Sequence, residues 1–465
     1  MSFNIGLSGL TAANKNLDVT GNNIANVATT GFKGSRVEFG DQYAQSIRGT
    51  SGNVNTGSGV AVSAISQQFK QGNLTMGTGN ALDLAINGNG FFQLSNGGEK
   101  LYTRAGAFHT DKEGYVINSE GMNLQGYNVD ANGDVVVGTL TNLRVDSSNL
   151  EPSASSMITN VANLNTTTTA PTITTFNPTD IKSYNLKYDT PIYDSQGNAH
   201  KLESYFVKTG VNSWSMYTLV DGQNISPAAA VPPAGVVVDP EMDRVDFKFD
   251  SSGNLLLPRL ANGDVDVADA DAPTPANATS KVTLNADGTF QVSDWKPLVQ
   301  TGTAANPVWV ENGATGSATG IKLDMTGISQ TASVSGLIRQ NQNGYATGQI
   351  SSMSVDAGGN LFASYTNGQS KVIGQVSLTN FANVQGLASA GGTNWRETFA
   401  SGVPVSGPPE TGTLGYITGQ ALEESNVDLT AELVDLIKAQ SNYQANAKSI
   451  STQSTLLQTT IQMVG

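Results

Sequence analysis

The two ends of the chain carry an apolar repeat that the middle lacks. Between residues 3 and 27, Phe3, Leu10, Leu17 and Ile24 recur seven apart, with Ala13 and Val27 at the intervening positions. Apolar positions alternating three and four apart fall on one side of an α-helix, so this stretch predicts an amphipathic helix with a seam. Its other face is nearly uncharged: Asn14, Asn16, Asn22, Asn23 and Asn26, with only Lys15 and Asp18 ionised. Thr29, Thr30 and Gly31 break the pattern.

At the far end Asp428, preceded by Ser425 and Asn426, is placed to cap a second helix. The same alternation then picks out Leu429, Leu433, Leu436, Gln440, Tyr443, Ala447, Ile450, Ser454, Leu457, Ile461 and Val464. Only Gln440 and Ser454 are polar, over roughly 36 residues or about 54 Å of helix. Val434, Ile437 and Leu456 widen the stripe, and no charged side chain follows Lys448. Such helices gain their stability by packing the stripe. Two arrangements would do so. One is an intramolecular hairpin of the terminal helices; the other is a pair of docking strips that order fully only when further copies supply the missing wall.

Between the ends the pattern is that of strands. Ala81 to Leu94 holds short apolar runs around Asn87-Gly88 and Asn89-Gly90, which predict two-residue hairpins. Asp-x-x-Gly recurs at Asp111, Asp130, Asp194, Asp250 and Asp356, with Asn285 to Gly288 of the same form. An Asx side chain bonds its own backbone and Gly at the fourth position rejoins the strand, so each predicts a hairpin turn. Thr166–Thr175, Ser226–Pro240, Asp264–Ser280 and Thr301–Gly320 read as loops or linkers, and Gly49–Gly59 as a flexible connector.

Composition narrows the function. Among 465 residues, 24 are basic and 38 acidic, a formal charge of −14 that argues against a nucleic-acid binder. Charged residues are only 13%, their place taken by Asn, Gln, Ser, Thr and Gly. Cysteine is absent, which excludes disulfides and thiolate chemistry, and His109 and His200 are the only histidines. Each is expected to be an ordinary surface or half-buried residue. There is no Gly-x-Ser-x-Gly elbow, Gly88-Asn89-Gly90 lacks a third glycine, and no Walker lysine follows a glycine loop. Asp264, Asp266, Asp269 and Asp271 could cluster on calcium, but without the central Gly and terminal Glu of an EF-hand they read as a solvated loop. The expectation is a non-enzyme with no cofactor and no metal. No apolar run reaches membrane-span length, and residues 1–27 lack a signal-peptide pattern, so export, if any, is expected without a cleaved leader.

Asn22-Asn23-Ile24-Ala25-Asn26-Val27-Ala28-Thr29-Thr30-Gly31-Phe32-Lys33 resembles the amino-terminal motif of bacterial flagellar rod, hook and hook-associated proteins. Asn426, Asp428, Gln440, Tyr443 and Asn446, within the run from Ser425 to Asn446, resemble the matching carboxyl-terminal motif. Leu82 to Phe92, Leu124 to Tyr127 and Gln375 to Leu387 are also similar to this family. The long central insertion is similar to the hook members rather than the shorter rod members. Ser441 stands where the family often has a basic residue.

The resemblance implies a mainly β multidomain fold with α-helical termini pairing as a coiled coil, and discontinuous domains nested around a central β insertion. It would place a terminal helical domain at 1–30 and 425–465 and a connector at 31–75 and 410–424. An inner β domain would occupy 76–150 and 325–409. An outer inserted β domain would span 151–324, with room for a second lobe. It also implies an extracellular subunit that self-polymerises into a curved hollow tube, a universal joint between motor and filament. Its partners would be other copies, a cap protein, the distal rod, a hook–filament junction protein and the type III export machinery. The seam residues Phe3 to Val27 and Leu429 to Val464 would be subunit interface. The alternatives are a junction or distal rod protein of the same family and, in another class, a secreted β-rich adhesin or carbohydrate-binding protein.

Overall fold

Both ends are helical in the computed structural model: α1 spans Ser2–Ala25 and α2 spans Leu429–Val464. Asp428 caps α2, its Oδ1 accepting from the amides of Thr430 (2.8 Å) and Ala431 (3.1 Å). Residues 2–42, 57–130, 133–225, 243–257, 260, 265–275, 281–293, 295–303 and 306–464 are described. Between the helices these are strands and turns with two short 3-10 turns. The chain is mainly β with helical termini, as expected.

The Asx turns form where the spacing puts them. Asp194 Oδ1 accepts from the amides of Gln196 and Asn198, both at 2.9 Å, and joins Leu186–Tyr193 to Ala199–Gly210. Asp111, Asp250 and Asp356 bind the amide four residues on in the same way. The Asn-Gly signals turn out differently. Leu84–Asn87 pairs with Tyr416–Gly419, and Phe91–Asn96 pairs with Glu99–Thr103, so no hairpin joins the first run to the second. Gly88 (φ +103°) and Gly90 (φ +125°) make a corner instead, with the Asn89 carbonyl accepting from Gly415 N at 2.8 Å.

The chain folds as two compact units, Met1–Ser147 with Ile350–Ser364 and Ser370–Gly465, and Ser148–Gln349 with Tyr365–Gln369. In the first, strands from both halves of the sequence share one sheet: Ser370–Val376 pairs with Asn123–Tyr127, and Asn394–Arg396 with Glu99–Thr103. Its core gathers Leu84, Phe92, Leu94, Leu124, Leu361 and Leu378. Within the expected connector, β1 (Ser35–Asp41) and β2 (Val60–Gln67) form an antiparallel hairpin packed along α1. Residues 49–56 of the expected flexible connector lie outside the described residues, as do 226–240 and Asp264.

In the second unit two six-stranded sheets enclose a core that includes Ile158, Leu164, Phe206, Trp214, Phe290 and Leu323. The unit's main segment runs to Gln349, past the expected 324, and Tyr365–Gln369 is added to it. Gly336–Gln342, expected in the inner β domain, pairs antiparallel with Met157–Asn165 of the second unit.

Candidate assembly interface

The roots of the two helices meet at a buried ionic knot. Glu423 is fully buried and binds the Lys33 ammonium, also fully buried, through Oε1. Its Oε2 accepts from Arg104 Nη1 at 3.1 Å, and Gly72 N donates to Oε1 at 2.9 Å. Lys33 also donates to Lys70 O (2.9 Å) and Arg104 to Ile86 O (3.1 Å). Burial lowers the pKa of both cations, and Glu423 opposes the effect at each. Gly31 N donates to Glu423 O at 2.7 Å, tying the motif loop to the same strand.

Two asparagines of the motifs finish this joint. Asn23 donates to Glu432 Oε1 (2.9 Å) and Ser35 O (2.8 Å), and its Oδ1 accepts from Ser35 N. Asn426 Oδ1 accepts from Gly34 N at 2.8 Å while its amide donates to Lys70 O at 3.0 Å. Burial raises the pKa of Glu432, with the Asn23 bond pulling the other way. Asn26 donates to Asn22 O and accepts from Thr29 Oγ1, closing α1. Phe32 is half-buried. The amino-terminal motif is thus largely the scaffold that launches the helices.

Beyond the joint α1 and α2 run antiparallel: Asn23 meets Glu432, Gly9 meets Asn446 and Gly6 meets Ile450. A Cβ built on Gly9 would fall 2.5 Å from the Asn446 side chain, and one on Gly6 2.9 Å from Ile450 Cγ1. The contact is therefore close because these residues are small; Ala12, Ala13 and Ala439 are buried nearby. The larger predicted seam residues divide between half-buried and exposed positions. Phe3, Leu429, Leu433, Tyr443, Leu457 and Ile461 are exposed. Leu10, Leu17, Ile24, Val27, Leu436, Ala447 and Ile450 are half-buried, and Gln440 is exposed. The side chain of Val464 lies outside the described residues. Continuing the register from Gly6 and Ile450, α2 from about Leu456 onward extends past the start of α1. There Leu456, Leu457, Ile461 and Met463 are more than half exposed.

Four family models match in order along the chain. Residues 3–33 match "Flagella basal body rod protein", 85–160 match "Flagellar hook protein FlgE/F/G D1 domain", 163–345 match "Flagellar basal body protein FlaE D2 domain", and 418–463 match "Flagellar basal body rod FlgEFG protein C-terminal". The flagellar hook protein FlgE of Salmonella typhimurium is 37% identical over 100% of both chains. This chain belongs to the flagellar hook protein family. FlgE of Escherichia coli strain K12 is 34% identical over 100% of both chains, and that of Borreliella burgdorferi 32% over 98% of both. The crystal structure of Helicobacter pylori flagellar hook protein FlgE2 covers 76% of this chain and 99% of its own, with a TM-score of 0.45 at 12% identity. The family is a structural one, not an enzyme family.

In this hook-family chain the joint residues Glu423, Arg104 and Glu432 were not legible beforehand. A lone carboxylate in a polar run gives no signal for partners hundreds of residues away. Gly6 and Gly9 did carry one, since they sit three apart on the predicted helix. His200 departs from expectation: it is buried, with Nδ1 2.6 Å from Asp221 Oδ2 and Nε2 3.3 Å from Asp194 Oδ2, edge-on to Trp295. In the acidic loop, Asp266 and Asp269 each accept from the amide two residues on, and Asp271 pairs with Lys248 at 2.6 Å.

Proposed function

We propose that this chain is the structural subunit of the flagellar hook, polymerising through its terminal helices into a curved hollow tube that serves as a universal joint from rod to filament. The observation that supports this reading is the division of labour on α2. Small and polar residues together with Ile450 make the closest intrachain contact, while Leu429, Leu433, Leu456, Leu457 and Ile461 stay in solvent. Solvent-exposed Leu and Ile along a long helix with no charge after Lys448 are a docking surface in search of a wall. The seam residues Phe3 to Val27 and Leu429 to Val464 are, in this reading, the subunit interface.

The terminal segments 1–30 and 425–465 would form the tube's helical layer, anchored to the connector at 31–75 and 410–424 and the inner β domain by the Lys33–Glu423–Arg104 joint. The β domains would supply low-charge polar contacts that exchange as the tube bends. Copies would be exported by the type III machinery and added beneath a cap. At its ends the polymer would meet the distal rod and the hook–filament junction protein. Among the described residues no helix is long and apolar enough to cross a membrane.

Deleting 1–30 and 425–465 tests the proposal while leaving Lys33, Arg104 and Glu423 in place. The shortened chain should stay folded by circular dichroism and form no tubes under electron microscopy. Tubes from that chain would end the reading.

A further inference from the structure

We infer that a groove on the first unit of one copy receives the last turns of α2 from a second copy. This rests on the polymerisation reading above and specifies its contact. The groove lies among α1, α2 and the β1–β2 hairpin and has a volume of about 370 Å³. Its apolar lining is Ile5, Ala12, Ala13, Phe39, Val60 and Ala439. A cavity of ~150 Å³ holds a benzene-sized group, so this one has room for two apolar side chains. Phe39, on its rim, is 48% exposed.

Three observations select the occupant. Neither the groove lining nor the chain after Lys448 carries a charge, so the two surfaces match electrostatically and neither strands an ion on burial. The tail of α2 is continuous with the α1–α2 contact and starts where that contact runs out, presenting Leu457 and Ile461 one turn apart. A molecule's own tail cannot enter its own groove. Asn446 lines the groove and Leu457 follows it on the same unbroken helix, roughly 16 Å further along the axis. The tail must therefore enter another copy. Because tail and groove are different surfaces, the contact is heterologous, and it propagates into an open polymer where the rotation between copies does not close a ring.

The chain has no cysteine, which makes cross-linking clean. We would assemble the double variants Phe39→Cys with Leu457→Cys and Val60→Cys with Ile461→Cys, oxidise them, and run non-reducing gels. The inference expects a covalent ladder beyond dimer from at least one pair, absent from every single variant and from dilute unassembled protein. Dimers alone would mean a closed pair rather than a propagating contact, and that result overturns it. So would intact tubes with no cross-link from either pair, an outcome that leaves the polymerisation reading standing. If the unmodified chain forms no tubes, the reading itself fails. The charged double variant Leu457→Lys with Ile461→Lys gives a second readout. It should raise the concentration needed for assembly roughly tenfold or more, since two apolar contacts are lost. An unchanged threshold would overturn the inference.

Discussion

Glu423 holds two cations in the interior of the first unit, and among the described residues it is the one carboxylate paired with either. Removing one partner of a buried pair strands the rest, at a cost of about 3–5 kcal/mol. Glu423→Ala should therefore lower the stability of the first unit by that order in a urea titration, and a loss below about 1 kcal/mol would contradict the joint's role. In the second unit, burial disfavours the His200 imidazolium, but Asp221 and Asp194 outweigh it and the pKa is raised. A raised folded value stabilises fully below the unfolded value of about 6.5, and that stability is lost as pH rises through the folded value. Burial opposes the ionised form of Asp194, yet its hydrogen bonds from Asn198 prevail and the pKa is lowered, so its share is lost only in acid. The melting temperature difference between the native chain and His200→Gln should be largest near pH ~6 and shrink in alkaline buffer. A difference independent of pH would refute the cage. At this scale the sequence displayed Lys33 and His200 but not their partners, because ion pairs between distant residues leave no trace in local spacing.

The terminal helices, the capping Asp428 and the Asx turns were all legible, since each rests on residues within one or two turns of one another. What periodicity could not rank was which face of a helix meets its neighbour in the same chain. Apolar stripes mark surfaces that shun water without saying which copy covers them. The contact is made by Gly6 and Gly9, whose lack of side chains lets α2 approach. Asn-Gly at residues 87–90 misled for a related reason: the same dipeptide serves a corner when the flanking runs find other partners, here Tyr416–Gly419 and Glu99–Thr103. The seam makes its own prediction. Gly6→Leu with Gly9→Leu should force the helices apart, an overpacking penalty of ~1–3 kcal/mol. Helical signal should then melt before the β signal in circular dichroism, and assembly should fail. Unchanged melting and unchanged assembly would show that close approach is unimportant.

For the whole molecule, nesting follows from sheets that draw strands from both halves of the chain, so the second unit interrupts the first in sequence. The motifs flanking the insertion were readable, but its end was not. Gly336–Gln342 belongs with Met157–Asn165 through a long-range pairing that only the folded sheet reveals. In the proposed polymer, what makes this molecule a subunit is the carboxyl-terminal stretch of α2, whose Leu456, Leu457 and Ile461 are more than half exposed. Hydrogen exchange of the amides between residues 455 and 464, compared in dilute protein and in assembled tubes, measures that cover directly. The account predicts fast exchange in the free chain, as for an unsupported helix end, and strong protection in the tube. Equal protection in both states would mean the tail is complete on its own, and would contradict it.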